Sequence, residues 1–148
     1  MMDKFIRDLE YGLYFENELL KYISYKSYEQ SIGNFKPYDL KIYKKNGLIS
    51  TYEVKADRQI NIYGNICIEY ECRNKPSGIT SSTAKYWAIF EVITMDKYAL
   101  YKIPRKRILK DIKNKRYRRD CIGGDNKASK LYLFDKNLYK DYIIYTNI

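Results

Sequence analysis

Residues 51–55 read Thr-Tyr-Glu-Val-Lys. Tyr52 and Val54 are β-formers, and a strand sends successive side chains to opposite faces, so Glu53 and Lys55 share one face with Cα atoms about 6–7 Å apart. A carboxylate and an ammonium side by side suit metal-dependent hydrolysis: the carboxylate ligates Mg²⁺ through oxygen, and the lysine steadies or helps deprotonate the attacking water. The same two residues also suit a plain ion pair on a half-exposed strand. A second carboxylate, Asp39, opens an alternating segment with Tyr38, Leu40 and Ile42 on one side and Asp39, Lys41 and Tyr43 on the other. Asn46-Gly47 then forms a hairpin turn into a strand over Leu48–Ala56. That hairpin lets Asp39 and Glu53 converge from neighbouring strands, where two carboxylates repel unless a cation or a proton intervenes. A Mg²⁺ ion shared with a backbone carbonyl, such as that of Val54, resolves the repulsion.

The composition removes many alternatives. The chain has no histidine, so Ser-His-Asp and Cys-His hydrolysis and histidine metal sites are excluded. Cys67, Cys72 and Cys121 form no C-x-x-C, which argues against zinc and against a disulfide framework; they read as reduced and mostly buried. Chemistry must then rest on Asp, Glu, Lys, Arg, Tyr, Ser or Cys with a hard, oxygen-liganded metal. Twenty-eight basic against 18 acidic residues give a net charge of +10. That field favours a polyanion, nucleic acid first and an anionic membrane surface second. No run of apolar residues is long enough to span a bilayer, and Met1–Glu10 lacks a secretory h-region, so an intracellular, cytoplasmic protein without membrane association is expected.

The elements that must position these residues follow in order. A helix is expected from Asp3, a candidate cap, to about Ser24, with Phe5, Ile6, Leu9, Leu13, Leu20 and Ile23 at helical spacing. Gly12 suggests close packing there. Glu16 lies near the stripe formed by Leu9, Leu13 and Leu20 and needs a partner, either a lysine or an acidic site. Residues 25–37 read as a polar connection with a Gly33-Asn34 turn. Residues 57–63 read as a loop, and 66–72 as a third strand with Ile66, Ile68, Tyr70 and Cys72 on one face and Cys67, Glu69 and Glu71 on the other. A short helix over 79–85, a buried strand over 86–93, a strand over 97–103, a helix opened by Pro104, a Gly123–Asn126 turn, a strand over 130–135 and a final apolar element over 139–145 complete the chain. One domain of 148 residues is expected.

Residues 105–119 carry nine basic residues (Arg105, Lys106, Arg107, Lys110, Lys113, Lys115, Arg116, Arg118 and Arg119) against Asp111 alone. One-signed charge of this density is an electrostatic footprint for phosphates; a solvated helix face is the alternative. Lys75 and Ser77 are further candidate phosphate contacts. Glu69 is a further acidic candidate or a lysine partner, and Trp87 reads as core.

Pro37-Tyr38-Asp39 followed by Glu53-Val54-Lys55 resembles the PD-(D/E)XK nuclease superfamily, including small phage and viral members and Holliday-junction-resolvase-like enzymes. Here Tyr38 stands between the proline and the aspartate. The resemblance implies a mixed α/β (α+β) fold: a restriction-endonuclease-like αβββαβ core over about 3–93, its central mixed sheet flanked by helices, with a basic C-terminal extension over about 97–148. It implies a DNA endonuclease dependent on Mg²⁺ or Mn²⁺, with catalytic Asp39, Glu53 and Lys55 and with Glu16, Asp39, Glu53 and the Val54 carbonyl at the metal. DNA (duplex, branched or single-stranded) and a second copy in a homodimer are the implied partners. A non-catalytic nucleic-acid-binding protein on this fold, or an RNA-directed nuclease, are the competing expectations.

Overall fold

The computed structural model describes residues 4–33, 36–124 and 127–148. Asp3, Asn34, Asp125 and Asn126, assigned above to a cap and to turns, lie outside them. The architecture is mixed α/β. Helix α1 (Lys4–Leu19) is followed by strands β1 (Ser27–Gln30), β2 (Leu40–Tyr43) and β3 (Ile49–Asp57), the one-turn helix α2 (Gln59–Tyr63) and strands β4 (Asn65–Cys72) and β5 (Lys75–Pro76). A 3-10 turn (Gly78–Thr80), β6 (Tyr86–Thr94), β7 (Lys97–Pro104), helix α3 (Arg105–Lys113), β8 (Arg119–Gly123) and β9 (Ser129–Asp135) come next. A second 3-10 segment (Lys136–Tyr142) and β10 (Ile143–Thr146) close the chain.

Six strands form one mixed sheet in the order β1-β2-β3-β6-β7-β10, and β5-β4-β9-β8 form a second. In the main sheet only β3 and β6 run parallel. Strand β6 sits near the centre because its run is apolar on both faces. Trp87 and Ile89 pack toward the second sheet, and Ala88, Phe90 and Val92 toward α1. Phe15 and Leu19 fasten α1 to that second face, with no measurable exposure. Ile108 of α3 and Tyr139 join Ile66, Ile68 and Phe134 of the second sheet on the opposite face.

Several expectations change: α1 ends at Leu19 rather than near Ser24, β1 lies within the expected connection over 25–37, α2 occupies the expected loop over 57–63, and the expected helix over 79–85 is only the 3-10 turn Gly78–Thr80. The third strand does not extend a β2-β3 meander: β4 pairs with β5 and β9, and the place beside β3 goes to β6. An alternating strand with one polar face suits an outer sheet, while the two-faced apolar run takes the interior position. The helical stripe on α1 is also rotated, since Leu9 and Leu13 are 53% and 40% exposed. The packed side is mostly aromatic, built on Tyr11, Tyr14 and Phe15 together with Leu19. Finally, Gly12 makes no close approach, because a Cβ there would meet nothing within 4 Å. Gly78 is the glycine that sterics demand: it has φ +52°, and a Cβ would lie 2.1 Å from the Glu69 carbonyl oxygen.

Candidate active site

The Asn46-Gly47 turn sets the geometry. Lys44 N donates to Leu48 O (2.9 Å), Leu48 N donates to Asn46 Oδ1 (3.0 Å), and Gly47 adopts φ +86°. The resulting register pairs Leu40 with Tyr52, so Asp39 comes opposite Glu53. Regular pairing stops there. Asp39 N donates to Tyr52 O (2.9 Å), and the Asp39 carboxylate takes over the next ladder position by accepting from Val54 N at 2.7 Å. A strand residue's N–H and C=O leave the same edge. The Val54 carbonyl therefore faces the Asp39 side, where β2 has ended.

Asp39 and Glu16 are buried, at 7% and 5% exposure, and Glu53 is partly buried. With Val54, Lys36 and Lys55 they line a cleft of about 690 Å³, which Leu9, Leu13 and the exposed Ile32 border. Two of the three carboxylates are shifted by burial and by their neighbours. Burial, then the Asp39 and Glu53 charges, push the Glu16 carboxyl up to about 7 against the opposing pull of Lys36. Burial and Asp39 likewise raise Glu53, with Lys55 pulling the other way. Glu16 Oε1 is buried with no hydrogen-bond partner. Lys36 Nζ lies 2.8 Å from Asp39 Oδ1, and Lys55 Nζ lies 3.4 Å from Glu53 Oε1. The ion pair that a Glu-x-Lys strand allows is thus formed, and the Lys55 ammonium also stands 5.9 Å from the centroid of the Trp87 ring. Lys36 is a cleft residue that sequence reasoning missed. Its only signal was its place three residues before Asp39.

Among the described residues, no three Cys, Asp or Glu side chains stand close enough together to cage a metal ion in this arrangement. The donor set nevertheless fits a hard cation. It is all oxygen, it includes an unpartnered buried carboxylate oxygen, and the Asp39 charge raises the proton affinity of both Glu16 and Glu53. Glu16, Asp39, Glu53 and the Val54 carbonyl would hold it, once the Lys36 ammonium had moved off Asp39.

The other candidates lie elsewhere. Glu69 is in the second sheet and accepts from Ser129 Oγ, so it neither joins the cleft nor pairs with a lysine. Lys75, on β5, is exposed; at Ser77, which precedes the 3-10 turn, the backbone N–H donates to Thr80 Oγ1 (3.1 Å). Trp87 is core, at 1% exposure. The three cysteines are unpaired and partly buried.

The basic segment divides. Arg107 Nε donates to the buried Asp111 (2.9 Å) and its Nη1 to the Tyr142 hydroxyl (3.2 Å). Arg118 bridges Asn65 Oδ1 (2.8 Å) and Asp135 Oδ2 (2.7 Å), and Arg105 Nη2 donates to Ile79 O (3.3 Å). Lys106, Lys110, Lys113, Lys115, Arg116 and Arg119 are exposed, and no ion pair engages them among the described residues. The segment packs on the face opposite α1, and none of its side chains lines the acidic cleft. No family model, curated protein or solved structure matches the chain.

Proposed function

We propose that this chain is a metal-dependent DNA endonuclease of PD-(D/E)XK type, built on a restriction-endonuclease-like core and acting on duplex, branched or single-stranded DNA. The observation that carries the reading is the convergence of Glu16, Asp39 and Glu53 from three elements on one cleft, with Lys55 beside Glu53. Mg²⁺ or Mn²⁺, when bound, would supply Lewis-acid stabilisation of charge developing on a phosphate and would lower the pKa of a water. The chain's own residues do the rest. Asp39, fixed by Val54 N–H, and Glu53 present oxygens at the open edge of β3. Lys55 is half-exposed at the cleft, where its ammonium can orient a water or donate a hydrogen bond to a phosphate oxygen. The exposed lysines and arginines of 106–119 would hold backbone phosphates without reading sequence. A symmetric homodimer would give the two clefts that cutting both strands requires.

The test is cleavage of labelled four-way junction, flap, single-stranded and linear duplex DNA with Mg²⁺. Asp39→Asn and Glu53→Gln are each expected to abolish cleavage while preserving folding and DNA binding; unchanged turnover in either discards the assignment. A second reading, nucleic-acid binding without catalysis, draws on the lysines that already neutralise Asp39 and Glu53. Tight binding with no cleavage of any substrate would favour it.

A further inference from the structure

A second charged cavity lies at the hairpin end of the main sheet. It measures about 400 Å³, and Ser24, Lys44, Lys45, Asn46, Tyr52 and Lys102 are among the residues lining it. None of the residues lining it is acidic. Tyr52 and Tyr86 stack with centroids 5.3 Å apart at 29°, and they hold the Lys102 ammonium 5.7 Å and 4.4 Å from their ring centres. Lys85 stands 5.4 Å from the Tyr86 ring on its own account. Among the described residues none of Lys44, Lys45, Lys85 and Lys102 has an ion-pair partner. The Tyr52 hydroxyl is buried without a hydrogen-bond partner in a side chain of no measurable exposure.

Cations gathered on stacked rings without a carboxylate repel one another. Burial, then Lys44 and Lys85, pull the Lys102 ammonium below its ordinary value. The rings fix where that ammonium stands but do not neutralise it. An anion would relieve the repulsion, and one with several oxygens could engage more than one ammonium.

We infer that Lys44, Lys45 and Lys102, arrayed around Tyr52, form a binding site for a phosphate group, carried either by a nucleic-acid backbone or by a free phosphate compound. The site stands apart from the acidic cleft, because the two share no lining residue. It does not depend on the nuclease reading.

The experiment is calorimetric titration of the full chain with pyrophosphate, alongside binding of a labelled DNA duplex at fixed ionic strength. Wild type is compared with Lys102→Met, which keeps the apolar stem on the rings, and with Lys44→Gln, at a partly buried residue just before the hairpin turn. Loss of about tenfold in pyrophosphate affinity in both variants is expected, the scale of one charged hydrogen bond. DNA affinity falling in parallel, with pyrophosphate competing, assigns the phosphate to a backbone. Weakened pyrophosphate binding with unchanged DNA binding assigns it to a small phosphate compound. If Lys102→Met fails to fold, Lys44→Gln carries the same comparison. Wild-type affinities for both ligands in the folded variants would overturn the site.

Discussion

The acidic cleft and the basic segment concentrate charge by opposite routes. Glu16 lies far in sequence from Asp39 and Glu53, yet burial together with their charges raises it to about 7. The nine basic residues of 105–119 are adjacent in sequence, yet the fold divides them. Arg107 is drawn against Asp111, Tyr139 and Tyr142, and Arg118 against Asn65 and Asp135. Contiguous charge on a helix and a turn points in several directions, and part of it is spent on packing. Charge brought together by strand register and helix packing converges on one cleft, where Lys36 and Lys55 only partly offset it. Under the proposed function the cleft would carry the chemistry and the basic segment, at most, the grip on phosphates.

The largest expected effect separates those two roles. Glu53→Gln should lower turnover by about 10²–10⁴-fold with little change in DNA affinity. Neutralising Lys106, Lys110 and Lys113 together should weaken binding and reduce its salt dependence while leaving saturated turnover nearly intact. The reverse pattern would exchange the roles of the two regions.

Next in size is the split within the basic segment. Arg107→Ala strands Asp111, at 1% exposure, and should cost about 3 kcal/mol of stability in urea unfolding. Lys106→Ala should stay within about 0.5 kcal/mol. Equal costs would mean that the segment is not divided as described.

Glu16 gives the third comparison. Its folded carboxyl lies near 7, above an ordinary 4.5, so the folded state holds a proton that the unfolded state releases. The resulting stabilisation is complete below about pH 4.5 and is lost as pH rises through about 7. Glu16→Gln removes that loss. Relative to wild type, the variant should gain up to about 3 kcal/mol between about pH 5 and about pH 8. Parallel stability curves would show that neither burial nor its neighbours raise Glu16. The smallest effect concerns Lys36, which occupies Asp39 as a competing cation. Lys36→Ala should tighten Mg²⁺ binding by about tenfold, or about 1.4 kcal/mol; weaker binding would make Lys36 a helper rather than a rival.

Much of the cleft was legible in the sequence because a hairpin turn is a local signal. Asn46-Gly47 fixes the register, and the register alone puts Asp39 opposite Glu53. Glu16 was visible as a carboxylate at helical spacing, although its apolar neighbours were misplaced. In this tyrosine-rich chain Tyr11 and Tyr14 do packing that leucines were expected to do, so Leu9 and Leu13 are left at the cleft. Strand β1 was missed because Ser-Tyr-Glu-Gln is polar and mostly exposed at a sheet edge. Strand β8 was missed because it begins at the last residue of the charge run and ends at a glycine read as part of a turn. The departure of β4 to a second sheet has no local signature. It follows from competition for the place beside β3, which the two-faced apolar run of β6 takes.

The central claim is that three carboxylates form one cation site, and Mg²⁺ titration by calorimetry tests it most directly. Wild-type protein should bind Mg²⁺, and Asp39→Asn and Glu53→Gln should each lose at least about tenfold in affinity while remaining folded. Mg²⁺ binding that is unchanged in both variants, or absent from wild type, would contradict the account.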